Sequence, residues 1–122
     1  MMKLIDKTEV QRMLDAFVDQ DVYIHLEMTM GAYAAHHGRA KFTGSTFIRN
    51  ARVRFSHARI AGSGPYRVGL KMAEGWIYSE GLTHMEDQET ERLIMAGLNE
   101  EGKLVVALQI SKEPFGTAKG MD

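Results

Sequence analysis

Asp21-Val22-Tyr23-Ile24-His25-Leu26-Glu27-Met28-Thr29 alternates apolar and polar side chains at nearly every step. Val22, Ile24, Leu26 and Met28 face one way; Tyr23, His25, Glu27 and Thr29 face the other. That period of two predicts a half-buried strand. Immediately before it the period is different. Val10, Met13, Leu14, Phe17 and Val18 recur at i, i+3, i+4, i+7 and i+8, the stripe of an amphipathic helix. The spacing predicts a helix from Lys7 to Asp19, with Asp6 as its cap and Ile5 and Val10 as a hydrophobic staple. The switch near Gln20 therefore sets one helix ahead of a β domain.

Working outward, Met30-Gly31 suits a turn into Ala32-Tyr33-Ala34-Ala35-His36. Weaker strand runs follow at Thr46 to Asn50 and Val53 to Ala61. Two hairpins carry more detail. A four-residue loop, Met72-Ala73-Glu74-Gly75, sets Lys71 opposite Trp76, Leu70 opposite Ile77, Gly69 opposite Tyr78, Val68 opposite Ser79 and Arg67 opposite Glu80. Directly opposed residues share a face. Leu70, Ile77 and Val68 then form a core face; Arg67–Glu80, Tyr78 over bare Gly69, and Trp76 beside Lys71 form the other.

The second hairpin pairs Arg92–Leu98 with Lys103–Ser111 across Asn99-Glu100-Glu101-Gly102. Leu93, Met95, Leu104, Val106, Leu108 and Ile110 are expected on one face. Ile94, Ala96, Leu98, Val105 and Ala107 share the other, which is also mostly apolar. Such a sheet needs cover on both sides, from the helix or from a second copy in a homodimer. A helix over Asp87–Leu98 competes, because Glu89, Glu91, Arg92, Leu93 and Met95 are good helix formers. The turn-like Asn-Glu-Glu-Gly and the matched run after it favour the strand. The fold class expected is mainly β: a sandwich or barrel of short, mostly antiparallel strands with one N-terminal α-helix. One domain is expected over residues 1–115, with 116–122 a frayed tail.

The composition agrees: 122 residues, 44% apolar, 25% charged, net charge -1. That is neither a disordered chain nor a globally basic nucleic-acid binder. No apolar run reaches membrane-spanning length, and Met1 to Asp6 lacks a secretory h-region, so a cytoplasmic protein without membrane attachment is expected. The absence of cysteine removes disulfides and thiolate chemistry.

The even charge balance hides an asymmetry. Met28 to Ala73 contains no Asp or Glu but holds Arg39, Lys41, Arg49, Arg52, Arg54, Arg59, Arg67 and Lys71. Either these strands lie against acidic ones, or they form a cationic surface for an anionic ligand or acidic partner. Nucleic acid is disfavoured, because aromatic residues are not interleaved with basic ones along the chain. The candidate ligand-binding residues are Tyr23, His25, Arg49, Arg52, Arg67 and Tyr78. No catalytic residue is assigned. His25 with Glu27 has the spacing of a base and its orienting carboxylate, although such a trio with Tyr23 is more often the polar side of a strand. His36 and His37 point to opposite faces, and no His-x-x-x-His spacing exists, so neither a metal nor a cofactor is expected. Gly62-Ser63-Gly64-Pro65 fits no phosphate-loop pattern, and no Gly-x-Ser-x-Gly elbow is present.

Val22-Tyr23-Ile24-His25-Leu26-Glu27, Ile48-Arg49-Asn50-Ala51-Arg52-Val53, Gly64-Pro65-Tyr66-Arg67-Val68-Gly69-Leu70-Lys71, Gly75-Trp76-Ile77-Tyr78-Ser79-Glu80-Gly81-Leu82-Thr83 and Leu108-Gln109-Ile110-Ser111 resemble the YojF-like family of small Bacillus-type proteins of unknown function. The resemblance runs from the helix to Phe115. It implies a mainly β domain in a cytoplasmic Firmicute protein. It also implies a neighbourhood with a zinc-dependent N-deacetylase of bacillithiol-type thiol metabolism, and supplies no catalytic residues. Two functions follow as expectations. One is a non-catalytic accessory or binding protein for a small anion or a partner enzyme. The other is a small enzyme whose Tyr23, His25, Glu27, Arg49 and Tyr78 meet only in the fold.

Overall fold

The computed structural model describes residues 1–30 and 44–116. The run from Ala32 to His36, together with His37, Arg39 and Lys41, lies outside the described residues, as does the tail after Gly116. The chain runs β1 (Met2–Leu4), α1 (Lys7–Ala16), β2 (Val22–Met30), β3 (Gly44–Val53), β4 (Phe55–Ala61), β5 (Tyr66–Met72), β6 (Trp76–Leu82), β7 (His84–Glu86), β8 (Arg92–Leu98) and β9 (Leu104–Ser111). All pairings are antiparallel. Six strands form one sheet in the order β1-β7-β8-β9-β2-β3, and β4-β5-β6 form a second. The two ladders do not join into a barrel, so the architecture is a sandwich. Among the described residues no helix is long and apolar enough to cross a membrane.

The helix forms as its stripe requires. The Asp6 carboxylate accepts from the Glu9 N–H at 3.2 Å, satisfying one of the free donors at the helix start. Ile5 and Val10 are buried together, with Leu14 and Phe17 further along the stripe. Regular helix ends at Ala16, earlier than Asp19, because Asp19 takes a left-handed φ of 61°. This redirects its N–H to the Phe55 carbonyl at 2.8 Å.

The first hairpin has the expected register at all five positions from Lys71↔Trp76 to Arg67↔Glu80. In the second, Asp87–Leu98 is not a helix: β8 begins at Arg92 and pairs with β9. Asn99 holds its turn by accepting from the Glu101 and Lys103 N–H groups at 2.9 and 3.0 Å. Leu104, expected inside, is 50% exposed. A register shift between Gly97 and Leu98 breaks the alternation there. Met28 is likewise outside at 46%, near the end of its strand.

The core lies between the sheets. Val22, Ile24, Leu93, Met95, Leu108 and Ile110 meet Phe55, Ile60, Val68, Leu70 and Leu82, and the helix adds Val10 and Leu14. Burial of each such side chain contributes roughly 1.5–3 kcal/mol. The helix packs chiefly on β4 and also touches β8, with its stripe in this shared core. Ile94 and Leu98, on the outer side of β8, are half-buried.

The chain passes from one sheet to the other at Thr83. Its N–H donates to the Ala96 carbonyl at 2.9 Å, and its hydroxyl oxygen accepts from the Leu98 N–H at 3.1 Å. Gly97 lies between these two contacts. A Cβ there would run into the Gly81 carbonyl oxygen and the Val106 side chain. Gly97→Ala is therefore expected to lower unfolding stability by at least about 2 kcal/mol, the upper range of overpacking costs. Gly102→Ala, in a turn where an added Cβ meets nothing but φ is 77°, should cost less. Chemical denaturation of both variants checks the order.

Candidate functional site

On the outer face of the six-stranded sheet, β2 carries Tyr23, His25 and Glu27, and β3 brings Arg49 alongside. Histidine Nε2 lies 3.3 Å from a Glu27 carboxylate oxygen. Nδ1 lies 3.5 Å from Arg49 Nη1, long for a hydrogen bond. A guanidinium only donates, so Nδ1 is the acceptor and the proton sits on Nε2, facing the carboxylate. Two rings close over this group: Phe47 at 5.2 Å and Phe115 at 6.2 Å between centroids, both edge-on. His25 is only 5% exposed.

Asn50 explains the lid. The β2–β3 register slips between Ile24 and Leu26, so Arg49 and Asn50 both stand opposite His25. Asn50 occupies the left-handed region at φ 56°, where asparagine is among the better-tolerated residues. Its side-chain amide then acts as a piece of strand. Nδ2 donates to the Phe115 carbonyl at 2.9 Å, and Oδ1 accepts from the Phe115 N–H at 2.7 Å. Arg49 Nη2 donates to the Gly116 carbonyl at 2.7 Å, and its guanidinium lies 5.9 Å from the Phe115 ring centre. Arg49 is thus engaged in holding the C-terminal segment, with its Nε buried and unpaired. A general base needs a substrate proton within reach. His25 is shielded by both rings and already faces Glu27 and Arg49.

The six sequence candidates therefore do not form one site. His25 and Arg49 share the closed cluster, and Tyr23 lies on the same strand face, opposite Arg52 and Ser111. Arg52 stands opposite Tyr23 at its border, exposed. Arg54 is drawn to Asp21 at 3.1 Å and the Asp19 carbonyl at 3.1 Å. Arg67 and Tyr78 are on the other sheet. There, β4 and β5 align His57 with Lys71 and Arg59 with Gly69. Across β5 and β6, Lys71 meets Trp76 and Gly69 meets Tyr78. All point outward, because Ala58, Ile60, Val68 and Leu70 point in. Tyr78 leans across Gly69, where an added Cβ would come within 3.0 Å of its ring. Trp76 lies parallel to it, with planes 1° apart and centroids 5.9 Å apart. Lys71 sits 5.4 Å from the Trp76 ring centre and Arg67 5.5 Å from that of Tyr78. Both rings remain open, at 56% and 54% exposure. So the aromatic residues, separate from the basic ones in chain order, stand among them in space.

Sequence reasoning missed Asn50, Phe47 and Phe115 in the closed cluster, and His57 and Arg59 as companions of Arg67 and Tyr78; Trp76 and Lys71 it set on that face without naming them as ligand-binding residues. An asparagine in mid-strand was the available signal for the bulge; nothing local marks Phe115. Among the described residues no group of three or more His, Asp or Glu gathers as metal ligands. A groove of about 560 Å³ between α1 and the β8–β9 ends is lined by Arg12, Arg92 and Lys112 but equally by Glu89, Glu91 and Glu113. Its charges alternate in sign, so it offers no net preference for an anion.

The fold and its surfaces define a two-sheet β-sandwich domain with a single helix closing the core and a basic aromatic face on the smaller sheet. Residues 4–115 match the family model described as "Protein of unknown function (DUF1806)", and the chain belongs to that family. It is 53% identical over 114 residues to the uncharacterized protein YojF of Bacillus subtilis (strain 168), covering 93% of this chain and 98% of that one. The crystal structure of Bacillus subtilis YojF superposes with a TM-score of 0.77 at 48% identity, over 95% of this chain and 98% of that chain.

Two outcomes follow from this geometry. Asn50→Ala removes both hydrogen bonds to Phe115 and leaves alanine in a left-handed conformation, so a loss of about 1–3 kcal/mol is expected. Asn50→Gly relieves only the backbone part. In both, faster amide exchange at Phe115 measures the released segment. The Arg67–Glu80 pair, 3.7 Å apart with both side chains more than half exposed, should show a coupling of at most about 1 kcal/mol in a double-mutant cycle.

Proposed function

We propose that the protein is a non-catalytic binding protein for an anionic ligand, and that its recognition surface is the outer face of the three-stranded sheet. One observation carries this reading. Arg59, Arg67 and Lys71 face solvent beside two open aromatic rings, whereas His25, the best candidate for acid–base chemistry, is enclosed by Phe47 and Phe115. Three permanent cations on this face stand against one carboxylate, Glu80. A field of one sign on an open surface attracts and retains anions, and does so less as salt rises. The alternative, a small enzyme working through Tyr23, His25, Glu27, Arg49 and Tyr78, would need the C-terminal segment to leave and Tyr78 to cross from the other sheet. The link to an N-deacetylase and bacillithiol-type metabolism rests on the family resemblance and adds no residue to this face.

A second reading concerns assembly. On the outer side of β8 and β9, Ala96 and Ala107 are already buried within the monomer, but Ile94 and Leu98 beside them are only half-buried. A two-fold homodimer through this side would bury them against their own copies. Sedimentation at micromolar concentration should then give twice 13.7 kDa, and Ala107→Glu should return the monomer; a 13.7 kDa wild-type species would contradict the dimer.

The anion reading is tested with inorganic polyphosphate at low ionic strength. Binding is expected to weaken as salt increases, and to fall by about tenfold or more on joint charge reversal at Arg59 and Lys71. His25→Ala should leave it unchanged. Affinity lost in His25→Ala and kept after the charge reversal would move the site to the closed cluster.

A further inference from the structure

We infer that the outer face of the three-stranded sheet is a docking platform for single-stranded nucleic acid, with bases stacking on Trp76 and Tyr78 and phosphates held by Lys71, Arg67 and Arg59. The inference deepens the anion-binding reading and rests on it. Three features of the face select this ligand among anions. The first is that large aromatic side chains are left open on a sheet whose large aliphatic residues turn inward. Val68, Leu70, Ile60 and Leu82 are buried, while Trp76 and Tyr78 keep more than half their surface in water. Every base has a flat apolar face that such rings can cover, so stacking gives affinity without reading sequence.

The second feature is the pairing of each ring with its own cation. Lys71 lies 5.4 Å from the Trp76 centre and Arg67 5.5 Å from the Tyr78 centre. Each cation lies over its ring, so a base that stacks there takes the cation's place on the ring face and leaves the charge beside its own phosphate. Parallel ring planes, 1° apart, let two neighbouring bases be received in the same orientation. The third feature is Gly69. It leaves the space into which the Tyr78 ring leans, and a side chain there would displace the ring. On the β4 side, Arg59 lies directly opposite Gly69 and His57 opposite Lys71, both exposed. The positive row thus continues past the rings to the sheet edge.

The same chemistry weighs against two other occupants. Duplex DNA keeps its bases stacked within the helix, out of reach of a flat sheet. A protein partner of ordinary composition is disfavoured by the exposed lysine and by the lack of any aliphatic contact beyond Ala61 at the core of the face. Glu80 is the one acid on the face, and it is neutralised by Arg67 at 3.7 Å.

Trp76 is the only tryptophan in the chain, so its fluorescence reports the platform directly. The test compares three probes at low salt: oligothymidylate roughly ten nucleotides long, an abasic oligonucleotide of equal length and charge, and thymidine monophosphate. Oligothymidylate should quench Trp76 emission and bind about tenfold or more tighter than the abasic chain. By anisotropy of the labelled oligonucleotides, Trp76→Ala should lower the affinity for oligothymidylate several-fold toward that for the abasic chain, while leaving the latter unchanged. Trp76 is exposed, so this variant keeps its core. Equal affinity for the two oligonucleotides would overturn the stacking platform and leave the anion surface standing. Monophosphate binding as tightly as the oligomer would overturn the strand and make this a nucleotide site. Binding of none of the three, nor of polyphosphate, would overturn both readings.

Discussion

The close approach of the β6 and β8 backbones governs the rest of the molecule. Gly97 has no side chain, and the Gly81 carbonyl occupies the place a Cβ would take. This close approach stands at the point where the strand that ends the three-stranded sheet turns at Thr83 and continues as part of the six-stranded one. The two inner faces then share one core, which the helix stripe completes. Each sheet is left with a single outer face, and the fates of those two faces differ.

On both sheets a side-chain amide stands in for a missing strand. Gln11 of the helix accepts from the Ile60 N–H at 3.0 Å and donates to the Ala58 carbonyl at 2.9 Å, satisfying backbone groups on the open side of β4. Such edges otherwise invite pairing with other chains. Asn50 does the same for Phe115 from the β3 bulge. The second contact has a chemical consequence. It seats Phe115 over His25 and engages Arg49 with the Gly116 carbonyl. The histidine of a plausible catalytic set is thereby enclosed, with its carboxylate and arginine partners half-buried beside it. The three-stranded sheet has no comparable strap, so its rings and cations stay in water.

What the sequence made legible follows from where the physics is local. The helix stripe and its Asp6 cap are local patterns, and both are found. The register of the Tyr66–Leu82 hairpin is legible because every opposed pair, from Lys71 with Trp76 to Arg67 with Glu80, makes sense across a strand. β1 and β7 are not legible: three residues are too few to display a period, and they exist because they pair with each other and with β8. Leu104 was placed on the wrong side because a bulge reverses alternation without leaving a hydrophobic signal. The candidate site was half legible. His25 and Arg49 do meet, with Tyr23 only on the same strand face, and Tyr78 with Arg67 also meet. That these are two clusters on two sheets depends on the chain crossing at Arg54, between β3 and β4, which no spacing between residues discloses. The acid-free stretch leaves open, in sequence, either strands lying against acidic ones or one basic surface; strand order divides its arginines between a C-terminal clamp, an Asp21 ion pair and the open face.

The central claim is that the working surface is the open face of the small sheet and not the enclosed histidine. Nuclear magnetic resonance of the isotopically labelled full chain, titrated with single-stranded oligonucleotide, tests it residue by residue. The Trp76 indole N–H and the amides of β5 and β6 should shift together, while the His25 ring and the Phe115 amide stay in place. Shifts gathered at His25, Phe47 and Phe115, with Trp76 unmoved, would contradict the account.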